Sequence, residues 1–373
     1  MPFDDAPRDR VDVAPSNTHS AAVRLSEQAF SAMNFQQGEY PHHTYDAILP
    51  SCSFESAWPL SQQIKATLMA DELHDPNLNI NHELSQRLDA LHYYWDDHGY
   101  TSGPNFWGTK HERLYDDNAW IGMDLMDVHK RDDSQGWALD QAKKIFEFEK
   151  RGVDEAAKVG HEPGGVMWKE GGGDTQYRAA VSTAGATQLA LRLYDTTHDK
   201  QYLDFAVTQY KWMEDHLDNG QGLYQDGVNG TDGKHDPDIV SYNQGLMMTN
   251  AALLYKATGD KSYLDKAQRT MDSACKWYTE SNLENGDIIY DAVFFRNLTE
   301  TDSILNSPPE ARSRHLEMLR GYADFLHKHM GDDGIIRTPR EHAPLDSTEA
   351  YLTQAGAVQI FSLLAEREQS EIG

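Results

Sequence analysis

The side chains in this 373-residue chain that best suit catalysis are two pairs of adjacent aspartates, each flanked by aromatic residues. They are Asp96-Asp97, in the segment YYWDDH, and Asp116-Asp117, in the segment YDDNAW. A retaining glycosidase uses two carboxyl groups about 5 to 5.5 Å apart, one as nucleophile and one as acid/base. Neighbouring side chains at a helix start point about 100° apart, so their carboxylates can reach that separation.

The electrostatics of such a pair suit glycoside hydrolysis. Two adjacent carboxylates do not both ionise easily, so one pKa rises and that group can act as an acid. A helix N-terminus favours the anion, which suits a nucleophile. A structural interpretation also stays open, because Asp116-Asp117 precedes an amphipathic run and can cap its helix. Asp96-Asp97 follows its helix in a glycine-rich stretch, where it can equally be a solvated loop.

Aromatic side chains are the second feature that suits a sugar ligand. The chain contains 8 Trp and 18 Tyr residues. Aromatic faces pack on the C–H faces of sugars, while Asn, Gln and Asp take the hydroxyl groups. Core packing is the alternative for each aromatic residue. The aromatic residues that we expect in loops are Trp58, Trp107, Trp168, Tyr224 and Tyr242.

Several other chemistries are not supported by the motifs. Neither His111-Glu112 nor His161-Glu162 has the second histidine of an HExxH zinc site. No Gly-x-Ser-x-Gly nucleophile elbow is present. The segment 227–234 resembles a P-loop only in part, since its spacing is wrong. We therefore predict no metal site and no cofactor.

Composition limits the partners and the compartment. The chain has 33 Lys and Arg against 60 Asp and Glu, a formal net charge of -27. Such a surface repels phosphate and anionic lipid, which argues against nucleic-acid or membrane-surface binding. Two cysteines, Cys52 and Cys275, are too few for a disulfide scaffold. No stretch of ~18 apolar residues or secretion signal is found, so we expect a monomeric cytoplasmic protein, or an exported one whose signal has been removed.

The elements that would position these residues are helical. Apolar residues recur with helical spacing, and strand-type alternation is scarce. The predicted helices begin with a pattern from residue 21 and continue at roughly 57–73, 79–96, 117–130, 135–151, 178–195, 199–218, 242–257, 261–280, 289–304, 309–330 and 348–366. Together they make about twelve helices.

An internal repeat indicates how the helices are arranged. The segment 193–204 matches the segment 254–265, 61 residues later, and Leu139-Asp140 belongs to a weaker third copy. Each copy ends one helix and starts the next. Units of this kind bury their apolar faces only by stacking on their neighbours. We predict an all-α (α/α)6 barrel, with an open solenoid as the rival, and a single catalytic domain at 17–373 after a loose tail at 1–16.

At the segment 115–120, YDDNAW, the sequence resembles glycoside hydrolase family 76, the endo-acting α-1,6-mannanases. The resemblance covers most of the chain. Further elements that resemble the family's motifs are GGVMW at 164–168, GLYQDG at 222–227, SYNQG at 241–245, the helix pair around 254–264, and FFR at 294–296.

The resemblance implies an (α/α)6 barrel and endo-acting, retaining hydrolysis of α-1,6-mannosidic bonds. It implies that Asp116 is the nucleophile and Asp117 the acid/base. It also implies sugar subsites lined by Trp168, Asp226, Tyr242, Asn243 and Gln244. Tyr115, Trp107 and Trp58 complete our set of predicted substrate-binding residues, and mannan or a mannooligosaccharide is the expected partner.

Two alternatives remain. Other (α/α)6-barrel enzymes act as sugar epimerases, which need paired histidines, or as unsaturated-uronide hydrolases, which need cations for the substrate carboxylate. Only His42-His43 are paired among the histidines, and the net charge is strongly negative. The other alternative is a non-enzymatic helical-repeat binding protein, which predicts an extended shape.

Overall fold

The positions of most residues are given by a computed structural model. The structure describes residues 20–39, 56–76, 78–105, 110–134, 136–154, 163–172, 176–338 and 347–372. The predicted tail at 1–16 lies outside the described residues.

Helices make up most of the described chain, and each of the twelve predicted segments contains one. The helices are α1 (Ala21–Glu39), α2 (Ala57–Asp71), α3 (Ile80–Leu91), α4 (Tyr115–Arg131), α5 (Gly136–Arg151), α6 (Ala180–Thr197), α7 (Lys200–Leu217), α8 (Ser241–Thr258), α9 (Lys261–Trp277), α10 (Glu280–Glu284), α11 (Ile288–Leu305), α12 (Pro309–Lys328) and α13 (Thr348–Ile372). The short α10 was not predicted. It begins with a capping box formed by Thr279 and Asn282, which separates it from α9.

Six helices form a closed inner ring. In ring order they are α2, α4, α6, α8, α11 and α13, each in contact with the next, and α13 contacts α2 again. The helices α3, α5, α7, α9, α12 and α1 form the outer layer and pack on the inner ring, with α12 in contact with both α11 and α13. The predicted (α/α)6 barrel is therefore confirmed, and the open solenoid is excluded.

The ring is closed by the two ends of the described chain. Outer helix α1 packs on inner helix α13. The Ser26 and Ser362 hydroxyl groups lie 2.7 Å apart, and Gln354 Nε2 donates to the carbonyl oxygen of Ala29 at 3.0 Å. Both contacts are buried, so they join helices from opposite ends of the sequence without exposing polar groups.

The 61-residue repeat corresponds to two equivalent turns, α6–α7 and α8–α9. His198 (φ 56°) and Gly259 (φ 71°) end the inner helices in the left-handed conformation. Asp199 and Asp260 then cap the outer helices by accepting from the second backbone N–H of each. The repeat is therefore visible in the sequence because turn and cap chemistry is local.

Two of the predicted helices were too long, because they included residues that form short strands. The strands are β1 (Trp95–Asp96), β2 (Gly99–Tyr100), β3 (Arg178–Ala179), β4 (Gly227–Val228) and β5 (His235–Asp236). The prediction of helix at 95–96 and 178–179 was wrong, because these residues pair with β2 and β4. The β3–β4 pair requires a glycine, since a Cβ at Gly227 would lie 2.6 Å from the Arg178 carbonyl oxygen.

The connectivity brings the first turns of the inner helices to one end of the barrel. Each inner helix from α2 to α11 is followed by an antiparallel outer partner, so the inner helices run in the same direction. We call the end where they begin the cleft end. In the part of the chain that is described, every helix is too short or too polar to span a bilayer.

Candidate active site

The aspartate pair lies in the first turn of inner helix α4. The N-cap residue is Leu114, whose side chain makes no capping bond, so neither aspartate is the N-cap. The expected position at a helix start is confirmed, and the Asp116 carboxylate accepts from backbone N–H groups of this first turn. The sequence pattern placed the helix start at 117, whereas Tyr115 is its first residue. Both carboxyl groups are thus held on a rigid turn whose positive end favours an anion.

Asp116 is half-buried and is the more acidic member of the pair. Burial raises the pKa of Asp116 to about 6, and the charge of Asp226 contributes to the rise. The backbone N–H groups of Asp117 and Asp116 and the Trp168 indole oppose it. Trp168 Nε1 donates to Asp116 Oδ2 at 3.3 Å, whereas buried Asp116 Oδ1 has no partner among the described residues. Oδ1 is therefore the oxygen that remains available to a ligand.

Asp117 is almost fully buried, with 5% of its surface exposed. Burial, and then the neighbouring charge of Asp116, holds the pKa of Asp117 well above its usual range. Its buried Oδ2 atom has no hydrogen-bond partner in the described part of the chain. Of the two groups, Asp116 therefore ionises more readily, and Asp117 holds its proton more strongly.

The other aspartate pair has a different environment. Asp96 lies in β1 and forms an ion pair with Arg113, and Asp97 is exposed in the turn that follows. Arg113 also pairs with Glu170 at 2.6 Å. The solvated-loop interpretation therefore fits Asp97, whereas Asp96 is a strand residue in an ion pair.

Trp168 is attached to the start of α4 through the backbone. The N–H group of Tyr115 donates to the Trp168 carbonyl oxygen at 3.0 Å, and Leu114 and Lys169 form an antiparallel bridge. The residue has 42% of its surface exposed, although its indole N–H bonds Asp116. Trp168 therefore lies at the site beside Asp116, and its contact with a sugar stays a prediction.

Asp226 lies beside the pair and is held by two donors. Asn243 Nδ2 donates to its Oδ1 atom at 2.8 Å, and the Tyr177 hydroxyl group donates to Oδ2 at 3.4 Å. Burial raises the pKa of Asp226 despite these donors, and the charge of Asp236 adds to the rise. The structure thus brings Asp226 and Asn243 together with Asp116, as the sequence predicts.

Tyr242 is the second residue of α8, in its first turn and not in a loop as expected. Its ring packs edge-on against Tyr290 of α11, with centroids 4.5 Å apart. Burial raises the pKa of both hydroxyl groups, and Asp226 and Asp116 raise it further. Tyr177 and Tyr290 were missed by the sequence analysis. Tyr290 could have been identified from its position, because the sequence pattern starts an inner helix at residue 289.

Gln244 and Tyr115 are buried and serve packing at the site. Gln244 Oε1 accepts from the Tyr224 N–H group, and Gln244 Nε2 donates to the Tyr224 carbonyl oxygen, both at 2.8 Å. These two bonds fix the loop that carries Asp226. Tyr115 is 2% exposed and stacks on Phe148, with ring centroids 4.4 Å apart. Their geometry gives them a positioning role in place of the sugar contact that the sequence predicts.

Trp58 lies in the first turn of α2 and not in the expected loop. It is half-buried and packs on Trp120, with ring centroids 5.5 Å apart. Trp120 lies one turn after Asp116 on α4, so Trp58 belongs to the wall of the same end. Tyr224 is 2% exposed and packs in the core, and Trp107 lies outside the described residues.

The donor groups at this site suit an organic polar ligand. Among the residues that the structure describes, no group of three or more His, Cys, Asp or Glu is arranged to hold a metal ion. The groups around Asp116 are carboxyl, phenol, indole and amide side chains, which together suit a polyhydroxylated molecule.

Comparison with protein families identifies the chain. Residues 20–310 match the model of glycosyl hydrolase family 76. The chain belongs to this family. Among curated proteins it is similar to the mannan endo-1,6-alpha-mannosidases DCW1 of Candida glabrata and Saccharomyces cerevisiae. The first is 28% identical over 188 residues, or 48% of this chain. The second is 29% identical over 178 residues, or 42% of this chain. The matches span 40% and 38% of those relatives' lengths.

Solved structures show the same fold over nearly the whole length of this family member. The family 76 mannosidase Bt3792 of Bacteroides thetaiotaomicron has a TM-score of 0.76 at 22% identity and covers 94% of this chain and 100% of that one. An inactive variant of an α-1,6-mannanase from a Salegentibacter species, in complex with α-1,6-mannotetrose, has a TM-score of 0.71 at 20% identity. It covers 93% of this chain and 99% of that one.

Proposed function

We propose that this protein is an endo-acting, retaining glycoside hydrolase that cleaves α-1,6-mannosidic bonds in mannan backbones. Asp116 Oδ1 attacks the anomeric carbon while Asp117 protonates the leaving oxygen, so the glycosidic C–O bond breaks as the Asp116–sugar bond forms. Asp117 then takes a proton from water, and the resulting hydroxide displaces Asp116 from the anomeric carbon. Two inversions leave the configuration unchanged.

The observation that carries the proposal is that two adjacent carboxyl groups, half-buried Asp116 and buried Asp117, share the first turn of α4. Helix N–H groups and Trp168 favour the anion of Asp116, whereas burial and the charge of Asp116 raise the pKa of Asp117 and favour its protonated form. The same first turn therefore offers a group suited to act as nucleophile and a group suited to act as acid. Each group has a buried oxygen without a partner among the described residues, which leaves it available for the substrate.

The relatives support the substrate. The curated proteins that the chain resembles are named as mannan endo-1,6-alpha-mannosidases. The Salegentibacter structure holds α-1,6-mannotetrose in a variant that was inactivated at two consecutive aspartates. Two consecutive aspartates in a family 76 barrel are also the central feature of the site described above.

We propose that the sugar chain lies across the first turns of α4, α8 and α2. Trp168 offers the exposed ring for packing, and Asp226, oriented by Asn243, accepts from sugar hydroxyl groups. Tyr242 and Tyr290 form the wall behind Asp226. Trp58 borders the site from α2, and Trp107 remains a prediction.

The alternative enzymes fit the same end of the barrel less well. A uronide hydrolase needs a cation for its substrate, whereas Asp226 faces the further carboxylates Asp236 and Asp238. The paired histidines that an epimerase requires are limited in this sequence to His42-His43, which lie outside the described residues. The hydrolase therefore remains the function that the geometry supports best.

The test is a digest of linear α-1,6-mannooligosaccharides, analysed by mass spectrometry. We expect short products from the wild type and none from Asp116→Asn or Asp117→Asn at the same protein concentration. Intact substrate in every sample would exclude the mannanase. Near-normal turnover by either variant would exclude its catalytic role.

A matched control is available in the other aspartate pair. Asp97 is exposed and has a neighbouring aspartate and nearby aromatic residues, as Asp117 does. Asp97→Asn should therefore digest the substrate at the wild-type rate. An equal loss in Asp97→Asn and Asp117→Asn would show that the effect is not specific to the α4 pair.

We also propose that residues 17–373 act as one catalytic domain and as a monomer. The domain is supported by the pairing of α1 with α13, which closes the ring. Because a polymer does not cross a bilayer, export to the cell surface suits this activity better than the cytoplasm. Fractionation of the producing cells, with activity measured in each fraction, tests that location.

A further inference from the structure

A third carboxyl group lies beside the aspartate pair, and the mechanism above does not use it. Glu149 is near the end of outer helix α5 and has 0% of its surface exposed. Neither of its carboxyl oxygens has a hydrogen-bond partner among the described residues. Buried carboxyl groups are nearly always bonded, so a group without partners calls for an explanation.

Helix geometry places Glu149 level with the first turns of α4. The inward stripe of α5 is Ala138, Ala142 and Ile145, and Glu149 continues it one turn further. A Cβ on Gly122 of α4 would lie 3.3 Å from Ile145 Cγ2, so these two residues are at the same height. Because α4 and α5 are antiparallel, one turn forward from Ile145 corresponds to one turn back from Gly122. That position is next to the aspartate pair.

The end of α5 is held tightly against the start of α4. Phe148 stacks on Tyr115, and a Cβ on Gly152 would lie 2.7 Å from the Tyr115 ring. Glu149 lies between these two contacts in the chain and is fully buried, so the helix end that carries it is held against α4 on both sides. Its position beside the pair is therefore fixed by packing.

The charged groups around Glu149 leave Asp116 as its main electrostatic neighbour. Burial, and then the charge of Asp116, raises the pKa of Glu149 well above its usual range. Arg113, Arg151 and Glu170 lie on the Tyr115 side. Of these, Arg113 pairs with Glu170, and the Arg151 guanidinium lies over the Phe148 ring. From the β1–β2 hairpin, His98 faces Phe148 and pairs with Glu170.

We propose that Glu149 is a third carboxyl group of the active site, a positioning residue that must stay protonated so that the single negative charge resides on Asp116. This inference rests on the proposed hydrolase function. If Glu149 ionised, a second buried negative charge would face the nucleophile, and Asp116 would have to take up a proton or move away. Either change removes the attacking group.

The first test is the pH profile of kcat/KM for Glu149→Gln, which has the same shape and cannot ionise. In the wild type, both Asp117 and Glu149 must be protonated, so activity should fall at high pH by up to about 100-fold per pH unit. In Glu149→Gln only Asp117 remains, and the fall should be about tenfold per unit. The acid limb, set by Asp116, should not move. An unchanged alkaline limb, or an acid limb shifted downward, would overturn the proposal.

The second test is independent of catalysis. When the pKa of a carboxyl group is raised in the folded state, the protein loses stability as the pH rises above the pKa of that group in the unfolded chain, about 4.3. The reason is that only the unfolded chain releases the proton. The thermal midpoint of Glu149→Gln relative to wild type should therefore increase steadily from pH 5 to pH 8. The cost of burying the amide does not depend on pH, so it changes the difference between the two thermal midpoints by the same amount at every pH. A difference that does not depend on pH would show that Glu149 is not held neutral.

Controls separate this inference from the proposed function. Glu147→Gln lies two residues away on α5, is exposed, and should change neither measurement. If Glu149→Gln does not fold, Glu149→Met removes the ionisable group without adding an amide and carries the same expectations. If the proposed function is wrong, the wild type itself will release no sugar. The unfolding experiment would still decide whether Glu149 is protonated.

Discussion

Inner-ring acidic residues have different partners at the two levels of the barrel. From the middle to the last turns of the inner helices, a charged belt formed by Lys65, Asp124, Asp127, Arg192, Arg296 and Glu300 alternates cations with carboxylates. At the cleft end, Asp116 in the first turn of α4 and Asp226 in the loop before β4 accept only from neutral donors in the bonds described above. The buried Oδ2 atom of Asp117 has no partner among the described residues.

The pKa values reflect this difference at Asp127 but not at Asp124, where burial raises the pKa although Lys65 and Arg296 oppose it. In the belt, burial alone would raise the pKa of Asp127, yet the charges of Lys65 and Arg192 lower it below its usual range. At the cleft end, burial raises the pKa values of Asp116 and Asp117 without a cation to oppose it. The comparison teaches that this fold pairs the buried carboxylates of the belt with cations and leaves those of the cleft end without one, an arrangement that suits the proposed acid–base chemistry.

The largest expected effect is a loss of activity without a loss of stability when a carboxyl group at the cleft end is changed. Asp116→Asn should lower kcat by at least about 1,000-fold, because the nucleophile is lost. It should leave the thermal midpoint at pH 7 unchanged or higher, since a buried charge next to Asp117 has been removed. Initial rates and thermal melts of the same preparations provide the measurement. A large fall in stability would mean that Asp116 is held by contacts like those of the belt.

The next effect is the converse, a loss of stability without a loss of chemistry. Lys65→Met removes the cation that lies 3.2 Å from Asp124 and also pairs with Asp127. We expect the free energy of unfolding to fall by about 3 kcal/mol, since uncompensated buried carboxylates remain. The kcat of the folded protein should stay within about threefold of the wild type.

The control for this prediction is an exposed ion pair. Lys256 and Asp195 pair at 2.9 Å, and both side chains are about half exposed. Lys256→Met should therefore cost less than about 1 kcal/mol in chemical denaturation. Equal losses for Lys65→Met and Lys256→Met would contradict the special role of the belt.

A smaller effect is expected from Asp226, which acts on both the sugar and Asp116. Asp226→Asn should lower kcat/KM by about 10- to 100-fold, as expected when a charged hydrogen-bond acceptor is neutralised. It should also move the acid limb of the pH profile to lower pH, because the charge of Asp226 raises the pKa of Asp116. Asp232→Asn, in the same loop and exposed, is the control and should change neither quantity.

The smallest expected effect has the opposite sign on the same limb. Trp168→Phe keeps a ring for sugar packing but removes the N–H group that donates to Asp116 Oδ2. The pKa of Asp116 should rise, and the acid limb should move up by about half a unit to one unit. The exposed Trp137, changed to Phe, should leave the profile in place. A downward shift in Trp168→Phe would contradict the bond.

Most of the fold could be predicted because its signals are local. Helical periodicity located all twelve main helices, and the caps at Asp199 and Asp260 produced a repeat that is visible in the sequence. The strand pairs were missed because each strand is only two residues long, too short for an alternating pattern. In addition, β3 and β4 are about 50 residues apart in the sequence, so only tertiary contact defines that pair.

The site could be predicted in part. Asp116, Asp226 and Asn243 belong to recognisable motifs and lie together, as expected. Gln244 belongs to the same motif, yet its amide is occupied by the Tyr224 backbone, a contact that no local pattern reveals. Glu149 was missed because it lies on an outer helix. The sequence does show one acidic residue among the apolar positions that face inward on α5. Hydrophobic periodicity alone gives no reason to assign a function to such a residue.

The most direct test of the proposed roles of Asp116 and Asp117 is to determine the anomeric configuration of the first product. The hydrolysis of α-1,6-mannotetraose should be followed by ¹H NMR during its first minutes, before the anomers equilibrate. We predict that the α-anomer appears first, because adjacent carboxyl groups in one helical turn suit double displacement. A β-anomer that appears first would contradict the account, since inversion needs carboxyl groups about 6.5 to 9.5 Å apart with a water between them.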